Sequence, residues 1–131
     1  MSIEKKIGYR ELVQRAMAEV ITLSALEALE IFQQGESLFI DLRDIRELKR
    51  EGKIPGAVHV PRGMLEFWLD PDSPYFKEVF QKDSAFIFYC NKGWRSALAT
   101  LTAQQMGLLA LSHIDGGFAA WCEINGPVEE I

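Results

Sequence analysis

Cys90 stands at the position in this 131-residue chain where nucleophilic chemistry is easiest to arrange. It opens the stretch Cys90-Asn91-Lys92-Gly93-Trp94-Arg95-Ser96. The apolar run Ala85-Phe86-Ile87-Phe88-Tyr89 precedes it, and a helical pattern reaching Met106 follows. A strand that ends where a helix begins gathers free backbone N–H groups and the positive end of a helix dipole. Both favour the thiolate, which is the nucleophilic form of cysteine. Four residues separate Cys90 from Arg95, with Gly93 among them. Wrapped into a semicircle, such a loop turns its N–H groups inward as an anion nest. Gly93 supplies the conformational freedom, and Lys92 and Arg95 add positive charge.

No dedicated general base accompanies the cysteine. His59 and His113 are the only histidines. His59, at the end of a strand, is the one candidate for a Cys–His hydrolase, and structural roles are favoured for both. A thiolate activated by backbone dipoles needs no base, which suits transfer of a sulfur or phosphoryl group. Arg95 either binds substrate or braces the loop through a carboxylate. Asp41 and Arg43, at another strand end, are expected to shape the site by pairing rather than to react. Cys122 lies mid-helix beside Trp121 and reads as structural; a resolving role toward Cys90 is the alternative.

Composition sets the frame. Hydrophobic residues make up 48% and charged residues 25%, the balance of an ordinary globular chain. The net charge of −5, with no basic run, argues against nucleic acid as a partner. No apolar segment approaches the ~20 residues that span a bilayer, and the N-terminus lacks a signal-peptide core. The expectation is a cytoplasmic protein without membrane partner or structural disulfide. Cys90, Cys122, His59 and His113 are too scattered for a zinc pattern, so no metal and no cofactor is expected.

The elements that must position Cys90 alternate along the chain. Tyr9 to Val20 carries a helical stripe of Leu12, Val13, Ala16, Met17 and Val20. Ile21 to Leu23 is a short strand, and Ser24 with Glu27 forms a capping box for a helix that Gly35 stops. Leu38 to Ile40 is a strand, and Asp44 caps a short helix ended by Gly52. The charged run Glu47-Leu48-Lys49-Arg50-Glu51 reads as a solvated face. Ala57 to Val60 is a third strand, and Pro61-Arg62-Gly63 turns the chain. Ser73 and Pro74 fit the start of a helix from Tyr75 to about Phe80. The aromatic stretch containing Phe67, Trp68, Tyr75 and Phe76 is expected to serve as core and pocket wall. Ala85 to Tyr89 is a strand, Ser96 to Met106 a helix, Leu108 to Leu111 the last strand, and Phe118 to Ile124 a final helix. Such alternation implies an α/β domain with a mostly parallel sheet, whose ligands bind at the carboxyl ends of strands.

Four motifs in order carry a resemblance to the rhodanese (sulfurtransferase) family, in its single-domain form. Ile40-Asp41-Leu42-Arg43 is similar to the family's first strand end. Gly52-Lys53-Ile54-Pro55-Gly56-Ala57 is similar to its G-H-I-P-G-A signature, with Lys53 in place of histidine. Cys90 to Ser96 resembles its C-x-x-G-x-R-S loop, and Asp115-Gly116-Gly117-Phe118 with Trp121 and Gly126-Pro127 its C-terminal signature. The resemblance implies one three-layer α/β/α domain over 1–131 with a five-stranded sheet. Its core runs from about 21 to 128, and residues 1–20 form a helical extension outside the minimal domain.

The resemblance also implies an activity. Cys90 would take a sulfane sulfur from thiosulfate or a persulfide, release sulfite, and pass the sulfur to cyanide or to a thiol, small or on a protein. Asn91, Lys92, Gly93, Trp94, Arg95 and Ser96 would bind substrate, with Asp41, Arg43, His59 and Arg62 in support. Phosphatase and arsenate-reductase relatives use one more residue between cysteine and arginine, so the short loop favours sulfur. A non-catalytic binding module is the third reading, and the presence of Cys90 counts against it. Oligomeric state is open.

Overall fold

The computed structural model describes residue 4 and residues 6–131. Its elements are α1 (Tyr9–Glu19), β1 (Ile21–Leu23), α2 (Ala25–Gln34), β2 (Ser37–Asp41), α3 (Ile45–Glu51), β3 (Val58–His59), α4 (Leu65–Leu69), β4 (Ala85–Tyr89), α5 (Trp94–Gln105), β5 (Leu111–Ile114) and α6 (Gly117–Glu123). The five strands form one sheet in the order β1-β5-β4-β2-β3, and every pairing is parallel.

The apolar run of β4 follows from where β4 lies. It is the central strand, and both of its faces are covered. Phe86 and Phe88 pack on one side with Ile40, Leu65, Ala99 and Ala103, against α4 and α5. Ile87 and Tyr89 pack on the other with Phe39, Ala28, Phe118 and Trp121, against α2 and α6. Alternating side chains therefore feed two cores from one strand. The α1 helix lies outside α5, with Ala16 fully buried and the Gln104 amide donating to the Glu19 carbonyl at 3.1 Å.

Local chemistry starts and stops the helices as expected in two places. Ser24 Oγ accepts from the Glu27 N–H at 3.0 Å while Glu27 reaches back to the Ser24 N–H at 2.8 Å. Asp44 and Glu47 repeat the device at α3. Lys53, in the histidine position of its motif, ties the turn after α3: its ammonium donates to the Ala57 carbonyl at 2.7 Å and pairs with Glu129 at 2.8 Å.

One expected element moves and another is absent. The last strand is Leu111–Ile114, not Leu108 to Leu111. Gly107 (φ 102°) and Ala110 (φ 52°) both take left-handed conformations that no strand contains, and Leu109 is exposed. The true strand was disguised by Ser112 and His113, whose polar character suits an edge rather than a core. The helix expected from Tyr75 to Phe80 is absent. Ser73 does cap a turn, accepting from Tyr75 N–H at 3.0 Å, but the Lys77 N–H is taken by the Trp68 carbonyl at 2.9 Å. Only a 3-10 turn at Glu78–Gln81 follows, anchored by buried Phe80.

His113 is fully buried between β1 and α5. Its Nε2 lies 3.0 Å from Thr22 Oγ1 and its Nδ1 3.0 Å from Ser96 Oγ. A neutral ring satisfies both contacts, one nitrogen donating and the other accepting. Burial pushes its pKa down to about 4. The unfolded chain therefore binds this proton first as pH falls below the ordinary histidine value. The resulting stability is full above about pH 6.5 and is lost toward pH 4. Urea unfolding should show a loss of about 2 kcal/mol between about pH 7 and pH 5, before the carboxylates titrate. His113→Asn should show a much flatter profile over that window.

The turn after β5 fixes a second expectation. Gly117 has φ 58°, and a Cβ there would be driven into the Cys90 carbonyl oxygen and the Asn91 backbone. Gly117→Ala should cost about 3 kcal/mol or more in chemical denaturation. Gly35→Ala, where φ is 75° and nothing lies within 4 Å, should cost only about 1 kcal/mol.

Candidate active site

Cys90 is the first residue after β4, and its side chain is buried at the mouth of the sheet. Gly93, at φ 94°, turns the chain back so that α5 starts at Trp94. The Cys90 Sγ accepts from the Gly93 N–H at 3.2 Å and from the Ser96 N–H at 3.3 Å. These donors belong to the N-terminal turn of α5, where N–H groups lack partners within the helix. The sulfur thus takes the place of a capping oxygen, and no side-chain cap exists there otherwise.

The carbonyls at the start of the loop are also fixed. The Cys90 carbonyl accepts from the Phe118 N–H at 2.8 Å and the Asn91 carbonyl from the Ala119 N–H at 3.1 Å. These two carbonyls are drawn toward the start of α6, while the Gly93 and Ser96 N–H groups face the sulfur. The close approach this needs explains two glycines: a Cβ on Gly117 would run into the Cys90 carbonyl oxygen, and one on Gly93 would lie 3.2 Å from the Gly116 nitrogen. Ser96 completes the loop, its hydroxyl lying 3.2 Å from the Gly93 carbonyl and 3.0 Å from His113 Nδ1.

A cavity of about 140 Å³ opens over the sulfur, lined by Cys90, Asn91, Lys92, Trp94 and Arg95. The Arg95 guanidinium forms a two-pronged pair with Glu47, at 2.8 and 2.9 Å. The pairing hydrogen bonds raise the Arg95 pKa, and those from Arg95 hold Glu47 below the usual carboxylate range. Glu47 is therefore not part of a solvated face. Glu51 of the same run also turns inward, to Arg43 at 3.2 Å.

Asp41, Arg43, His59 and Arg62 do not line this cavity. Asp41 and Arg43 form a fully buried pair at 2.7 Å, and Arg43 also donates to the Gly52 carbonyl at 2.7 Å. The Arg43 guanidinium lies 4.3 Å from the centre of the Phe118 ring, below the start of α6. His59 Nε2–H donates to the Arg43 carbonyl at 2.7 Å, so that nitrogen is committed to the backbone. Arg62 pairs with Glu66 at 2.9 Å. These residues hold the strand ends together, one layer away from the sulfur.

The aromatic stretch is likewise elsewhere. Trp68, on α4, packs against the core, while Phe67 and Tyr75 are exposed. The aromatic wall of the site is Trp94 itself, and its neighbour is Tyr9 of α1, with ring centres 5.2 Å apart. Cys122 is exposed on α6 and lines none of this cavity; partial burial pushes its thiol up. Among the described residues both cysteines are free, and no group of three acidic, histidine or cysteine side chains is placed to hold a metal. No helix among them is long and apolar enough to cross a membrane.

Comparison with known proteins agrees with this geometry. The rhodanese-like domain family matches residues 24–124. The human thiosulfate:glutathione sulfurtransferase is 28% identical over 113 residues, covering 82% of this chain and 97% of that protein. A putative sulfurtransferase of Bacillus subtilis is 31% identical over 104 residues, covering 79% of this chain and 91% of that one. A Rhodopseudomonas palustris structure, described as a protein of unknown function and possible tyrosine phosphatase, superposes with a TM-score of 0.96 at 46% identity, covering 98% of this chain and 99% of that one. With the family match spanning most of its length, this chain belongs to the rhodanese-like domain family.

Proposed function

We propose that this protein is a sulfurtransferase that works through a persulfide on Cys90. The Cys90 thiolate attacks the outer, sulfane sulfur of thiosulfate or a similar donor. The S–S bond of the donor breaks, and sulfite leaves with the bonding electron pair. An acceptor thiolate, or cyanide, then attacks the outer sulfur of the persulfide, and the Cys90 thiolate departs. Neither step requires a proton from a dedicated acid or base. The reading is supported above all by the Gly93 and Ser96 N–H groups converging on Sγ. Preorganised donors of this kind stabilise both the thiolate and the charge that develops on the transferred sulfur. The acceptor class is a thiol, with glutathione a candidate by analogy to the human relative. A reducing, cytoplasmic setting suits a free reactive cysteine.

Phosphoryl transfer is the competing chemistry, raised by the Rhodopseudomonas neighbour's description. Two observations weigh against it. The loop has four residues between Cys90 and Arg95, and the Arg95 guanidinium is occupied by Glu47 rather than left to grip an oxyanion. In an assay with thiosulfate and cyanide the protein should form thiocyanate, and Cys90→Ser should reduce it to background. Hydrolysis of an aryl phosphate with no thiocyanate formed would replace this reading with the phosphatase one.

Arg95, on this account, braces the loop. Arg95→Ala and Glu47→Gln should each lower kcat/KM for thiosulfate by about fivefold, and the double variant should fall no further, as for two members of one interaction. If Arg95 instead gripped the donor, releasing it through Glu47→Gln would raise turnover while Arg95→Ala lowered it.

A further inference from the structure

A second cavity, of about 280 Å³, adjoins the first. It is lined by Tyr9, Arg10, Val13 and Gln14 of α1 and by Trp94, so Trp94 is the wall between it and the Cys90 cavity. The four α1 residues precede the segment that matches the family, 24–124, so this wall is an addition to the common domain. Its charges are distinctive. Arg10 lies with its guanidinium 5.7 Å from the centre of the Tyr9 ring and donates from Nε to the Tyr9 hydroxyl at 3.2 Å. Lys92 holds its ammonium 5.5 Å from the Trp94 ring centre. Among the described residues neither cation pairs with a carboxylate, whereas Arg95 beside them is neutralised by Glu47. In a chain of net charge −5, two uncompensated cations flanking a pair of half-exposed aromatic rings form a local anion-attracting surface.

We infer that this cavity is the subsite for the sulfur acceptor, and that the acceptor is a small thiol bearing a carboxylate. The inference rests on the sulfurtransferase reading and deepens it. The carboxylate is held by Arg10, the stem lies on Tyr9, Val13 and Trp94, and the thiol passes the edge of Trp94 to reach the persulfide on Cys90, where Lys92 adds positive charge. A cavity of this volume accepts a molecule of about amino-acid to small-peptide size. Cyanide and thiosulfate are too small to use it, so α1 sets acceptor preference rather than sulfur loading. Transfer is the displacement already described: the acceptor thiolate gains the outer sulfur as its own persulfide, and the electron pair of the broken S–S bond returns to Cys90.

The probes are N-acetylcysteine and N-acetylcysteine amide, which share the stem and thiol and differ by the carboxylate. Binding is read by NMR from the Trp94 indole resonance of Cys90→Ser protein, which needs no turnover. N-acetylcysteine should shift that resonance at roughly tenfold lower concentration than the amide, and Arg10→Glu should abolish the difference. In turnover of the Cys90 protein with thiosulfate, the ratio of kcat/KM for the acid over the amide should fall about tenfold in Arg10→Glu. Equal Trp94 shifts with both probes, or an unchanged ratio in Arg10→Glu while sulfur still loads onto Cys90, would overturn the subsite and leave the sulfurtransferase reading standing. Failure of Cys90 to load sulfur at all would overturn both. Transfer only to a protein thiol, with no Trp94 shift from either probe, would overturn the small acceptor.

Discussion

The structure turns on two backbone N–H groups, those of Gly93 and Ser96, that meet at one sulfur atom. A hydrogen bond to a charged group contributes about 1.5–3 kcal/mol, roughly twice that of a neutral one. The same contacts therefore gain strength when Cys90 is a thiolate or carries a terminal sulfur anion. They are available because the chain turns back at Gly93 and opens α5 beside the sulfur. The start of the loop is anchored by α6, whose first N–H groups bind the Cys90 and Asn91 carbonyls. The Gly116-Gly117 turn permits this approach, because only a residue without Cβ fits against the Cys90 carbonyl.

Further support comes in layers. The buried Asp41–Arg43 pair sits under Phe118 and ties the end of β2 to the Gly52 turn. A buried pair of this kind is weak as a source of net stability, because desolvation offsets much of the attraction, but loss of one partner leaves an uncompensated charge. On the other flank, Thr22, His113 and Ser96 link the edge strand β1 to the start of α5. Ser96 thus has two roles: its N–H faces Cys90, and its hydroxyl is anchored to the core through His113. Arg95 and Glu47 join α5 to α3 from outside. The loop is gripped from three elements while its inner face stays open to a small cavity.

Much of this was legible in the chain because local rules and global fold agree. The apolar run of β4, the capping box at Ser24, the cap at Asp44, and the Cys90 to Ser96 spacing each announce themselves over a few residues. What was illegible depends on contacts between residues distant in sequence. Ser112 and His113 disguised β5 because their polar groups are satisfied by Thr22 and Ser96, partners invisible from the local pattern. Glu47 looked like one charge among four, and only the fold places Arg95 opposite it. Asp41 and Arg43 pair as their chemistry suggests, but the partners of His59 and Arg62, the Arg43 carbonyl and Glu66, emerge only from the fold. Tyr9 lies 85 positions before Trp94, and no periodicity links them.

The central claim is that Cys90 is the atom on which sulfur is carried. Intact-mass measurement of the purified protein after incubation with thiosulfate and removal of the donor tests it most directly. The account predicts a gain of one sulfur atom by the wild type, reversed by cyanide, and no gain by Cys90→Ser while Cys122→Ser gains as the wild type does. An unchanged wild-type mass across thiosulfate and persulfide donors, or a sulfur retained by Cys90→Ser, would contradict it.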